Sequence, residues 1–263
     1  MGVEVTQAPQ VTPPSSQAPS SQAPSSLELS PRHPLSRYSN EDALTGEGVL
    51  PVLPALRELL PAGGLPRGSV VAAGGWSLLC LALAAEASAA GAWCAVTGLP
   101  QAGVAAAADA GLDPGRMLLV AEPGPGWPQV VVSLLDGCEL VLLHPPDRPS
   151  ALVRRRIEAT VRRFGGVLVV AGDWEGAQLR LLVTDQQWAG IGAGHGRLRA
   201  RRVRVVADGR GAAARPRARW LWLPAPDGSV AVCDPADVTT GQCEPADHIG
   251  ARETFWKEMQ RTG

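Results

Sequence analysis

The residues with the clearest chemical potential lie in a short glycine turn. Residues 69–73 have the apolar pattern of a buried strand, Gly74 and Gly75 follow, and Trp76 and Ser77 begin a segment with the pattern of a helix. A phosphate-binding loop needs glycines that surround the phosphates, a lysine that reaches them, and a hydroxyl that holds Mg²⁺. Here Trp76 occupies the position of the lysine and the turn is several residues too short. Ser77 keeps the hydroxyl, but a serine before a helix is more typical of a helix cap.

The elements that would position this turn form a strand–turn–helix–strand unit. Gly91 ends the predicted helix, and residues 93–97 follow as a second buried strand. A unit of this length joins parallel strands through a right-handed crossover. In most proteins the turn of such a unit holds a phosphate.

Helices and strands continue to alternate as far as Asp173. We predict further helices at residues 53–60, 101–110, 127–135 and 149–164, and strands at residues 116–121, 140–143 and 167–171. Four more segments, residues 178–184, 197–206, 217–223 and 230–233, have the pattern of strands joined by glycine-rich turns. The prediction is an α/β fold with a mostly parallel sheet flanked by helices on both faces and extended by C-terminal antiparallel strands.

The order of these segments resembles the core of RecA recombinases over about residues 50–230. The resemblance begins with GGLPRGSVV, its glycine turn, the helix and the WCAV strand, and AGLDPGRMLLVAEP is similar to the segment after the second RecA strand. CELVLLH is similar to the Walker B strand, and GVLVVAGD to the next core strand. LRARRVRVV and RARWLWLPAPDG are similar to the last RecA hairpin. The sequence is similar to the RecA-like ImuA-type proteins of actinobacteria. The resemblance therefore implies a RecA-like core for the predicted sheet.

Carried over residue by residue, the resemblance implies an empty nucleotide site. The position of the Walker A lysine corresponds to Trp76, and that of the Walker B aspartate corresponds to His144. The position of the glutamate that would polarise the attacking water lies near Pro100. Phosphoryl transfer depends on positioning and on charge stabilisation by the lysine and the metal. We expect no ATPase activity, no catalytic residue, no nucleotide cofactor and no metal. His144 alone is more typical of a strand-end cap than of a metal ligand, because metal sites need several converging ligands.

The resemblance also implies a function. ImuA-type proteins are non-replicative accessories in SOS-type translesion synthesis and mutagenesis, so the expectation is a non-catalytic scaffold in DNA-damage tolerance. Its expected partner is an ImuB-type Y-family polymerase homologue, with RecA as a second candidate. Three alternatives remain: an active RecA-like ATPase in DNA repair, a SulA-like inhibitor of cell division, and a stand-alone DNA-binding module.

Arginine is the one marked charge feature of the chain. Alternation along predicted strands gives five candidate DNA contacts: Arg197, Arg199, Arg201, Arg217 and Arg219. Arg202 and Arg204 fall on the opposite strand face unless a bulge intervenes. Arginines neutralise backbone phosphates, but the same pattern also fits an ordinary solvated face. DNA is therefore a candidate partner only.

Composition and charge limit which partners and which cellular location the sequence predicts. Lys+Arg 24 against Asp+Glu 25 gives a net charge of −1, so overall charge favours neither nucleic acid nor membrane as a partner. No run of 18 apolar residues predicts a membrane span. The five cysteines form no C-x-x-C pair, and the N-terminus lacks the pattern of a secretory signal. Together these features predict a cytoplasmic protein with free thiols.

Three domains are predicted along the chain. Residues 1–49 contain SSQAPSSQAPSS and have too little apolar surface to fold, residues 50–233 form the RecA-like domain, and residues 234–263 form a C-terminal tail. In the tail, Phe255, Trp256 and Met259 would share one side of a short helix. This helix is the predicted partner-docking segment, and the alternative is that it folds back on its own core.

Overall fold

The structure is a computed structural model that describes residues 48–74, 77–99, 103–192 and 195–233, with the backbone only at residues 77, 190–192 and 195–199. The described strands are β1 Val49–Pro51, β2 Gly64–Pro66, β3 Ser69–Gly74, β4 Cys94–Thr97, β5 Met117–Val120, β6 Leu140–Leu143, β7 Val167–Ala171, β8 Leu179–Gly192, β9 His195–Gly209, β10 Arg217–Trp222 and β11 Ala231–Val232. The α-helices of the same ranges are α1 Pro54–Arg57, α2 Ser77–Ala89, α3 Val104–Asp109, α4 Trp127–Gly137 and α5 Ala151–Phe164.

The main sheet of the described residues has the strand order β11-β10-β9-β8-β3-β7-β6-β4-β5. Every pairing from β8 to β5 is parallel, and every pairing from β8 to β11 is antiparallel. The predicted fold class, a mostly parallel α/β sheet with an antiparallel C-terminal extension, is confirmed. The strands β1 and β2 form a separate antiparallel pair that the sequence patterns did not predict.

The central parallel strands are mostly apolar because they are buried on both faces. All residues of β4 and β6 are buried. One face packs against α2, whose residues from Leu79 to Ala85 are all buried, and the other packs against α4 and α5. The helices therefore cover both faces, as predicted.

The local signals that place these elements act as expected. The side chain of Ser150 accepts a hydrogen bond from the N–H of Val153 at the start of α5, and Gly165 ends α5 in the left-handed region at φ 68°. Strands β6 and β7 have the predicted bounds. Strands β8 and β9 are longer than predicted, and the predicted helix at 53–60 is only α1. Within the described ranges, none of the helices combines the length and the apolar character needed to cross a bilayer.

Candidate functional site

The first candidate site is the edge formed by the carboxyl ends of the parallel strands. Strand β3 ends at Gly74, and α2 starts at Ser77. A Cβ built on Gly74 would lie 2.5 Å from Cδ2 of Leu182, so β8 packs closely against the end of β3. The predicted positions Gly75, Trp76 and Pro100 lie outside the described residues.

The ends of β4 and β6 are in direct backbone contact at this edge. Gly98 has φ 70°, and a Cβ at this position would lie only 2.0 Å from the carbonyl oxygen of His144. The N–H of His144 donates a hydrogen bond of 2.9 Å to the carbonyl of Thr97. No side chain fits at position 98, so neither a carboxylate nor any other catalytic group can stand there. The signal for this contact is a glycine directly after a buried strand, and the sequence reasoning did not use it.

His144 joins the ends of two strands. Its Nδ1 lies 2.9 Å from the carbonyl oxygen of Ala171, and because a carbonyl only accepts, Nδ1–H is the donor. The bond ties the end of β6 to the end of β7, although the ring itself is exposed. The prediction that His144 caps a strand end is confirmed. Among the described residues, no three His, Cys, Asp or Glu side chains are placed to hold a metal ion.

Acidic side chains on the α4 and α5 face form structural hydrogen bonds. The indole N–H of Trp127 donates to the carboxylate of Asp147 at 2.8 Å, and the indole N–H of Trp174 donates to Glu158 at 3.1 Å. Asp173, two residues after β7, is exposed. The sequence reasoning named none of these carboxylates as site residues.

The second candidate site is the arginine-rich hairpin, where one predicted contact is wrong. Arg201 is only 1 % exposed. Its Nε donates to the carbonyl of Leu223 at 2.9 Å, and its guanidinium lies 5.3 Å from the ring of Trp188. Burial lowers the pKa of Arg201. Arg201 cannot line an exposed DNA track, because its side chain lies on the same buried side of β9 as Val203.

The other predicted arginines are Arg197 and Arg199 on β9 and Arg217 and Arg219 on β10. The side chains of Arg197 and Arg199 lie outside the described residues. Arg217 is half-buried, and Arg219 is exposed and forms an ion pair with Glu58. Such surface pairs contribute about 0–1 kcal/mol. The pair shows that Arg219 faces the segment after α1. The assignment of Arg217 and Arg219 as DNA contacts stays a prediction.

The opposite face of the hairpin carries a different set of side chains. The guanidinium of Arg202 stacks 4.4 Å from the ring centroid of Trp220, and Arg204 is exposed with Asp185 at 3.8 Å. The sequence placed Arg202 and Arg204 on the face opposite Arg201, and the structure confirms that placement. In the sequence, Trp220 and Trp222 alternate with Leu221 and Leu223. This alternation was the available signal for aromatic rings beside these arginines.

The described thiols Cys80, Cys94 and Cys138 are buried and free of disulfides. Burial raises the pKa of each of these thiols to about 12. A thiol with so high a pKa is protonated near neutral pH and is a poor nucleophile. These cysteines are therefore core residues rather than reactive groups. The predicted docking residues Phe255, Trp256 and Met259 lie outside the described residues.

Comparison with known proteins finds partial similarity. The MT3502 N-terminal domain family matches residues 58–176, a range that ends before β8. An uncharacterized protein of Mycobacterium tuberculosis (strain ATCC 25618 / H37Rv), Rv3395c, is 37% identical over 128 residues. That alignment covers 47% of this chain and 63% of the relative, so the chain spans less than two thirds of the relative's length.

One solved structure in the comparison is the flagellar accessory protein FlaH from Methanocaldococcus jannaschii. It is 10% identical, with a TM-score of 0.44, and the match covers 71% of this chain and 99% of FlaH.

Proposed function

We propose that this chain is a RecA-like accessory protein that has lost nucleotide chemistry and acts in DNA-damage tolerance through contacts with other proteins. The observation that carries the proposal is the edge at Gly98 and His144. The Walker B position holds a histidine that is bonded to a neighbouring strand end. The contact between Gly98 and the His144 carbonyl excludes any side chain at position 98.

The composition of the chain supports the same conclusion. Its only lysine is Lys257, far along the sequence from the glycine turn. Lysine and Mg²⁺ carry most of the charge stabilisation in phosphoryl transfer by P-loop enzymes. A chain without a lysine at the turn, without a carboxylate at the Walker B position and without one near Pro100 lacks the groups for that step.

The pathway in this proposal comes from the resemblance to ImuA-type proteins. In that setting the chain bridges an ImuB-type Y-family polymerase homologue and further partners of SOS-type translesion synthesis, with RecA among them. The proposed contact segment is the C-terminal tail with Phe255, Trp256 and Met259. An amphipathic segment of this kind binds a partner by laying its apolar side into a groove.

Co-purification with the polymerase homologue tests the proposal. We expect the full chain to retain the homologue, and we expect the triple change Phe255→Ala, Trp256→Ala and Met259→Ala to abolish retention. The matched control changes three polar residues of the same segment, Glu253→Ala, Lys257→Ala and Gln260→Ala, and should retain the homologue.

Two outcomes would contradict the proposal. Absence of a complex with the polymerase homologue would remove the bridging role, and a complex with the cell-division GTPase instead would favour a SulA-like inhibitor. Equal retention by the triple variant and its control would reject the tail as the contact segment.

A further inference from the structure

Among the described residues, the apolar core covers only one face of the antiparallel part of the sheet. Leu181, Val203 and Leu221 belong to the apolar cluster on the α2 side of the sheet. The described cluster on the α5 side ends with Trp174 and Ala177 and contains no residue of β8, β9 or β10. The described helices on the α5 side therefore leave these strands with a second face outside the apolar core.

Arginine and tryptophan dominate this second face. We call it the arginine–tryptophan face and define it by Arg180, Arg202, Arg204, Trp220 and Trp222. Register places Arg180 beside Ala72, which belongs to the α5-side cluster. It also places Arg204 opposite Trp220 and Arg202 opposite Trp222. Residues paired in this way lie on the same side of a sheet, so the five side chains share one side of β8, β9 and β10.

The patch offers flat surfaces as well as charge. The guanidinium plane of Arg202 stacks on Trp220 at 4.4 Å. Trp222 is half-buried and Arg204 is exposed. A stacked guanidinium and a partly exposed indole both present faces on which a nucleic-acid base can stack.

Positive charge extends from the patch to the neighbouring helix. Helix α5 covers the same side of the sheet and carries four exposed arginines: Arg155, Arg156, Arg162 and Arg163. Its carboxylate Glu158 accepts the indole N–H of Trp174. The carboxylates on the patch are Asp185, at 3.8 Å from Arg204, and Asp208, whose register partner is Arg180. The patch itself therefore holds three arginines and two carboxylates.

We propose that the arginine–tryptophan face binds single-stranded nucleic acid. Arg180 and Arg204 contact backbone phosphates, and bases stack on Trp222 and on the outer side of the Arg202–Trp220 pair. An acidic peptide would use the arginines but would leave the indole faces without a matching partner, and a duplex keeps its bases inside its own stack. The inference deepens the proposed function by naming a ligand of the scaffold, and its geometry comes from the hairpin alone.

The test measures fluorescence anisotropy of a labelled single-stranded oligonucleotide of mixed sequence, titrated with the full chain. The double change Arg202→Glu and Arg204→Glu should weaken binding at least tenfold, because it removes the phosphate contact of Arg204 and the stacking surface of Arg202 and adds two negative charges. The matched control, Arg210→Glu with Arg215→Glu, changes the same charge at exposed residues outside the patch. It should weaken binding less than threefold.

Stacking has its own pair of variants. Trp222→Leu should weaken binding about tenfold, because it removes the ring on which one base stacks. Trp222→Phe keeps an aromatic ring and should stay within about threefold of the parent chain. Arg204→Glu alone, at an exposed position, tests the charge contribution if the double variant fails to fold by circular dichroism.

Several results would overturn the inference. These are absence of binding, equal weakening by the control pair, or no difference between the Trp222 variants. Displacement of the oligonucleotide by polyglutamate as effectively as by unlabelled oligonucleotide would favour an acidic protein partner instead. The Arg202 and Arg204 variant should still co-purify with the polymerase homologue, so failure here and failure of the proposed function are distinguishable.

Discussion

Replacement of Gly98 by alanine tests the closed edge of the sheet. The added Cβ would lie 2.0 Å from the His144 carbonyl oxygen, whereas ordinary contacts begin at 3.4 Å. The end of β6 must therefore move by more than 1 Å relative to β4. That movement strains the hydrogen bonds from His144 N–H to Thr97 and from His144 Nδ1 to Ala171.

The magnitude has separate parts. A left-handed backbone costs a non-glycine residue about 1–2 kcal/mol, overpacking costs about 1–3 kcal/mol, and each weakened hydrogen bond costs about 1 kcal/mol. Gly63 is the matched control, because it has the same φ of 70° and nothing within 4 Å of a Cβ. We expect Gly98→Ala to lower the free energy of unfolding by about 2–4 kcal/mol more than Gly63→Ala does.

Urea unfolding followed by far-UV circular dichroism measures both variants against the parent chain. A shift in midpoint without a change in slope reports stability alone. If Gly98→Ala costs no more than Gly63→Ala, the contact between the ends of β4 and β6 is not as close as described. A side chain would then fit at position 98.

Two further predictions concern buried groups. Arg201→Ala should lower the free energy of unfolding by about 2–4 kcal/mol, because it leaves a cavity and an unsatisfied Leu223 carbonyl. Arg204→Ala, at an exposed position, should change the free energy of unfolding by less than about 0.5 kcal/mol. Equal urea midpoints for the two variants would contradict the assignment of Arg201 to the buried face. The thiols Cys80, Cys94 and Cys138 ionise near pH 9 when unfolded but only near pH 12 when buried. Their contribution to stability is therefore complete below pH 9 and is lost as the pH rises from 9 to 12. Urea unfolding midpoints at pH 8 and pH 10 measure this loss of stability. Mass spectrometry after labelling of the native protein at pH 8 measures the accessibility of the thiols, and rapid labelling of these three cysteines would contradict their burial.

The sequence predicted the parallel core well because burial on both faces leaves a simple apolar signal. Strands β6 and β7 begin and end where their apolar runs do, and Gly165 marks the end of α5. The hairpin was harder to predict. Beyond Val183 strand β8 continues through polar residues, and the pairing with β9 shifts register between Val183 and Asp185. Neither the length of β8 nor this shift has a periodic signal.

In the candidate sites, too, some features could be predicted from the sequence and others could not. The placement of Arg202 and Arg204 followed from alternation, but the burial of Arg201 did not, because alternation gives two faces without saying which one meets the core. A second register shift lies between Ala189 and Ile191. The contact of Gly98 with His144 joins the ends of two different strands, so the glycine after β4 indicates a close approach but does not identify its partner.

The central claim is that the edge at the glycine turn does not bind a nucleotide, and equilibrium binding of ATP to the full chain tests it most directly. Isothermal titration with Mg²⁺ and ATP at millimolar concentration should show no saturable binding and no hydrolysis. Saturable, Mg²⁺-dependent binding that is lost when residues 74–77 are altered would contradict the claim.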